Sequence, residues 1–195
     1  MTRPTLVLVP GLRGEVSDHW QTRLAATLPD VTVVPPLGKA DPGLQTRVTL
    51  LDQVLAGVDG PVVLVAHSAG VLVAVHWAAR FHNPTVVAAL LATPPTLATE
   101  LPPEYPSVAE LEAHGWLPLP RLPLPFPSIV AASENDPLAN PVRLEALARA
   151  WGSRVVSLGA VGHLNPASGF GDWPGALPLV DELLAEARQP ALVPA

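Results

Sequence analysis

The chain has 195 residues, 49% hydrophobic and only 14% charged, with a net charge of -6, 25 prolines and no cysteine. That length and apolar content support one domain, residues 1–195, with a sizeable core, and argue against disorder despite the prolines. The acidic balance and scattered Lys and Arg argue against nucleic acid as a partner, and the missing cysteine excludes disulfides, thiol catalysis and cysteine metal sites.

The opening MTRPTLVLVPG is too short for a signal peptide and reads as a buried strand over Thr5 to Val9, stopped by Pro10-Gly11. Ser17 is expected to cap a helix over 18–28, with Trp20, Leu24 and Leu28 on one stripe. A strand over 31–34 follows, then a helix over 44–55 with Leu44, Val48, Leu51 and Leu55 aligned. VVLVA at 62–66 is continuously apolar, as a strand covered on both faces must be. A very apolar helix is expected over 70–81, then strands over 86–92 and 128–132. Pro141 opens a helix ending at Trp151, a strand over 154–158 comes next, and a last helix spans 176–187. Such alternation calls for an open parallel sheet with right-handed crossovers. No stretch is long enough to cross a membrane without polar interruption, so a cytoplasmic protein is expected.

One connection breaks the rhythm. Residues 93–127 carry ten prolines, with a short helix expected near Glu110 to Ala113 and the rest extended. A connection this long in a compact domain often covers a site.

In a parallel sheet the chemistry gathers at the carboxyl ends of the strands. Ser68 follows the third strand in VAHSAG, Asp136 the fifth in SENDP, and His163 the sixth in GAVGHLN. Serine is a poor nucleophile until a base and an orienting acid are held beside it, and the chain order Ser, Asp, His suits that requirement. Glu134 competes with Asp136 as the acid, and local grounds favour Asp136. The elbow reads A-x-S-x-G, with Ala66 and Gly70 as the small residues flanking a strained serine. The N–H of Ala69 and that of Leu12 in PGLRG are the candidate oxyanion donors. His67 should point away from the nucleophile, His76 should be packed, and His82 should sit at a helix end. No metal or cofactor is expected: there is no H-E-x-x-H, no close His/Asp cluster, no Walker lysine, and Gly11 and Gly14 lack the nucleotide-binding spacing.

Pro10-Gly11, His19-Trp20-Gln21, the VAHSAG elbow, Asp136-Pro137, Gly162-His163-Leu164-Asn165, Ser168-Gly169-Phe170-Gly171 and Trp173-Pro174 together resemble the YdeN-like family of small serine hydrolases, which includes a retinoblastoma-binding member. The resemblance covers nearly the whole chain. It implies a minimal α/β-hydrolase, a three-layer α/β/α fold with a six-stranded parallel sheet ordered 2-1-3-4-5-6. It implies Ser68 as nucleophile, His163 as base and Asp136 as its partner, with His19 and Trp20 near the mouth and Asn165, Ser168 and Trp173 supporting the loop and pocket. The expected activity is a carboxylesterase acting on small to medium acyl esters. A serine peptidase acting on short peptides, or a binding protein on a decayed hydrolase fold, is the alternative. Ala66 stands where such elbows often carry glycine, which should tighten the turn. No protein partner is implied, because a Leu-x-Cys-x-Glu motif is impossible without cysteine.

Overall fold

The computed structural model describes residues 3–13, 16–37, 43–98 and 100–188. Gly14 and Thr99 lie outside them. Six strands, β1 (Thr5–Val9), β2 (Val31–Val33), β3 (Val62–His67), β4 (Val86–Ala92), β5 (Ser128–Ala132) and β6 (Arg154–Ser157), form one sheet in the order β2-β1-β3-β4-β5-β6. Every pairing is parallel, with Val9 level with Ala66 and His67 level with Ala92 at the carboxyl edge.

The central strands are apolar throughout because helices cover both faces. On one face Val7, Val9, Leu64 and Ala66 meet α2 (Leu44–Ala56), α3 (Ala69–Ala78) and α5 (Pro141–Trp151). On the other, Leu6, Leu8, Val63 and Val65 meet α1 (Trp20–Thr27) and α6 (Ala176–Ala187). The result is the three-layer α/β/α minimal hydrolase fold, in the strand order the resemblance implied. Leu44, Val48, Leu51 and Leu55 are all buried, and α3 buries every residue from Ala69 to Trp77.

Several boundaries differ from expectation. Helix α1 starts later, and its cap is His19, whose Nδ1 accepts a hydrogen bond from the Gln21 N–H; Ser17 lies outside it in a turn. Helix α3 ends at Ala78, so His82 lies in the coil beyond it and not at the helix end. His76 is packed as expected, 4% exposed and hydrogen-bonded to the Trp116 carbonyl.

The proline-rich connection holds α4 (Val108–Ala113), which opens with a capping box: Ser107 accepts from the Glu110 N–H while the Glu110 carboxylate accepts from the Ser107 N–H. The connection is pinned at several points. Trp116 is 1% exposed, the Pro120 carbonyl accepts from Trp151 Nε1, and Phe126 is buried.

Candidate active site

Ser68 sits between the last residue of β3 and the first of α3. Its φ of 56 and ψ of -126 place a non-glycine residue in a region favouring glycine. Two neighbours make that turn possible. A Cβ on Gly70 would fall inside the Val9 carbonyl oxygen and 2.7 Å from that of Pro10, so only glycine lets α3 start this close to β1. Gly11 is close but less tight, since a Cβ there would lie 3.3 Å from Ser68 Cβ. Ala66 is fully buried and paired between Val9 and Leu91, and the elbow forms around it.

The fifth and sixth strands deliver the other two groups. Asp136 Oδ2 lies 2.9 Å from His163 Nδ1, and His163 Nε2 lies 2.7 Å from Ser68 Oγ. A carboxylate can only accept, so the imidazole proton is on Nδ1 and Nε2 is left to accept from the Ser68 hydroxyl. The second carboxylate oxygen, Oδ1, accepts from the Leu138 N–H, which fixes the Asp136 rotamer. Both Asp136 and His163 are buried. Glu134 takes no part. It is exposed and accepts from the Ser157 hydroxyl on the outer side of β6.

The His163 loop is held by its own residues and by Asn135. Ser168 Oγ accepts from the His163 N–H at 3.0 Å, and Asn165 caps the short turn Pro166–Ser168 by accepting from the Ser168 N–H. Gly162 has φ +58 and lies against Ser168, where a Cβ would come 2.6 Å from the serine side chain. Asn135, unable to carry a charge, accepts from the Gly162 N–H and the Ser133 hydroxyl.

His67 completes the set. Its ring lines the same cavity as Ser68 and bonds to the His163 backbone. Its Nε2–H donates to the His163 carbonyl at 3.0 Å, because a carbonyl can only accept. The His19 ring stacks obliquely on it at 4.6 Å, and Trp20 meets it edge-on at 6.0 Å. Burial, reinforced by the positive charge His163 would carry, lowers the His67 pKa well below the ordinary histidine value. The same two causes lower that of His19 to about 4.

Ser68 and His163 open on a cavity of about 230 Å³. Leu72, Leu97, Leu101, Leu111 and Trp116 make its apolar wall, much of it from the proline-rich connection. Leu12, Ala69, His19 and Asn165 also face it. Ser168 acts behind the wall, on the His163 backbone. Trp20 and Trp173 do not reach the cavity either; they pack on each other edge-on at 4.9 Å beneath the His67 ring. Two further residues contribute in ways their sequence positions do not reveal. Gln21 is 5% exposed and donates to the Val9 and Val65 carbonyls, tying the ends of β1 and β3. Tyr105, the single tyrosine, lines the cavity and stands edge-on to His163 at 6.4 Å. Among the described residues, no three His, Asp or Glu are grouped to hold a metal ion, and no helix is long and apolar enough to cross a membrane.

A buried serine, histidine and carboxylate in a hydrogen-bonded line, at the carboxyl edge of a parallel sheet and under an apolar wall, define a hydrolase-type site on a hydrolase fold. The chain belongs to the serine hydrolase family, whose model matches residues 6–182. It is similar to a protein described as a YdeN-like hydrolase from Pectobacterium atrosepticum, with 28% identity over 95% of this chain and 92% of that one, at a TM-score of 0.80. The ydeN product of Bacillus subtilis shares the fold, with 15% identity over 94% of this chain and all of that one, at a TM-score of 0.67. So does the type II thioesterase BorB of the borrelidin biosynthetic cluster, with 20% identity over 94% and 93%, at a TM-score of 0.61. No curated protein matches the chain significantly.

Proposed function

We propose that the protein is a carboxylesterase that hydrolyses small to medium apolar acyl esters through an acyl-enzyme. The observation that carries this is the unbroken line from Asp136 through His163 to Ser68 at the floor of an apolar cavity. In the first step Ser68 Oγ attacks the acyl carbonyl and His163 Nε2 takes its proton. The negative oxygen that forms is held by the N–H groups of Ala69 and Leu12. His163 then passes the proton to the departing alcohol oxygen as the acyl–oxygen bond breaks. Water, deprotonated by the same nitrogen, attacks the acyl-serine, and the proton returns to Ser68 as the acid leaves. Asp136 holds the imidazole in the right tautomer and stays a carboxylate throughout. Each oxyanion donor is worth on the order of 3 kcal/mol of barrier in such sites.

Support for the acyl side comes from the leucine and tryptophan wall. It offers no polar group in quantity, and the cavity volume suits a short aliphatic chain. The test is intact-mass analysis after treatment with a fluorophosphonate. One adduct on the wild type, absent from Ser68→Ala and strongly slowed in His163→Ala, is the expected result. A folded wild type that takes no adduct, from a small or a large probe, would turn the assignment toward a binding protein on a hydrolase fold.

A further inference from the structure

The exposed Arg13 is among the residues that line this largely apolar cavity. Among the described residues that line it, Arg13 is the only lysine or arginine. Its guanidinium carbon lies 4.6 Å from the centre of the Tyr105 ring, a stacking distance that orders an otherwise mobile side chain. Tyr105 lines the cavity together with Asn165, the residue that caps the turn behind His163. The exposed guanidinium makes no ion pair among the described residues, whereas Arg23, Arg149 and Arg154 each have a carboxylate. Of the carboxylates near Tyr105, Asp136 is engaged with His163 and Glu104 is exposed.

Position decides which part of a substrate would meet this cation. Tyr105 stands edge-on to His163. In the acyl-transfer steps proposed above, His163 hands a proton to the departing oxygen, so the leaving group lies on the His163 side. The leucine wall then takes the acyl chain, and the ordered Arg13 faces whatever the alcohol carries. We propose that Arg13, stacked on Tyr105, binds an anionic group on the leaving-group side, so that the substrates are apolar acyl esters of an alcohol bearing a carboxylate or phosphate. This rests on the esterase assignment for its direction, and on Arg13 alone for the charge.

A planar guanidinium pairs with a carboxylate through two parallel hydrogen bonds, which a neutral ester cannot reproduce. The probes are 4-(hexanoyloxy)benzoate and its methyl ester, alike in shape and differing in the charge of the leaving group. Their affinities would be measured by calorimetric titration of the Ser68→Ala protein, where no turnover intervenes, with and without Arg13→Gln. The carboxylate should bind about tenfold more tightly than the methyl ester, and Arg13→Gln should erase that preference while leaving the neutral ester's affinity unchanged. Equal affinities for the two probes, a preference that survives Arg13→Gln, or binding of neither probe would each overturn the proposal. The fluorophosphonate adduct on wild-type Ser68 reports separately. If it forms while the preference is missing, the anion subsite fails and the hydrolase stands; if it does not form, the hydrolase assignment fails on its own.

Discussion

At Ser68 position and strain are inseparable. A non-glycine residue at φ 56 costs on the order of 1 to 3 kcal/mol, which the packing of β1 against α3 must absorb. Ser68→Gly should therefore be more stable than Ser68→Ala by about 1 kcal/mol in urea unfolding, although both lose the hydroxyl. Equal midpoints would mean the turn is relaxed. The two candidate acids differ as sharply. Asp136→Asn keeps an oxygen for the Leu138 N–H but presents His163 with a group that no longer enforces the Nδ1–H tautomer. Its ester turnover should drop by about 10⁴-fold. Glu134→Gln, altered only where it meets Ser157 at the surface, should stay within about twofold of wild type. Comparable losses in both variants would sink the assignment of the acid. The meeting of Ser68, Asp136 and His163 was legible in the sequence because each follows a strand, and strand ends in a parallel sheet converge. His67 was read only as pointing away, because sequence spacing tells which face a side chain takes but not what backbone from a distant loop arrives there. Gln21 and Tyr105 were harder still: each acts through a contact with a segment remote in the chain.

Elements were legible where the pattern was long and failed at their ends. The stripe of α2 and the unbroken apolar runs of β3 and β4 state their own period and burial. Ser17 is the stronger capper by propensity, yet His19 holds the cap position of helix α1. The apolar pattern of helix α3 continues past Ala78, where the chain turns, and so overruns the helix. The proline connection was expected to be mostly extended. Its tryptophan anchors could not be foreseen, since Trp116 and Trp151 find their partners across the fold. The junction of β1 with α3 gives a prediction at this scale. Gly70→Ala places a methyl into two backbone carbonyls that cannot yield without parting β1 from β3, so it should cost about 3 kcal/mol or more. Gly152→Ala, at φ +69 with nothing near the added methyl, should cost only about 1 kcal/mol. Urea midpoints of the two variants check the contrast, and similar losses would show that the close approach is not what requires glycine at residue 70.

The whole molecule buries two imidazoles, His19 and His67, beside His163, the base of the proposed mechanism. Unfolding returns them to water, where histidine titrates near 6.5, while burial holds His19 at about 4 and His67 well below its ordinary value. Between those limits the unfolded chain binds more protons than the folded one, so stability rises with pH across the window. For His19 the contribution is complete above about pH 6.5 and is lost as the pH falls toward 4. For His19 the loss amounts to on the order of 3 kcal/mol at the acid end, a large share of a typical domain's stability. His19→Asn isolates it, because asparagine can still cap α1 through the Gln21 N–H but does not titrate. The fall in unfolding free energy between pH 7 and 4.5 should be about 2 to 3 kcal/mol smaller in His19→Asn than in wild type. Carboxylates that also titrate there contribute alike to both proteins and drop out of the difference. Parallel profiles would mean that His19 is solvated enough to charge within the folded protein. The stacked rings would then be a hydrated lining of the cavity, no longer part of the core that carries His163.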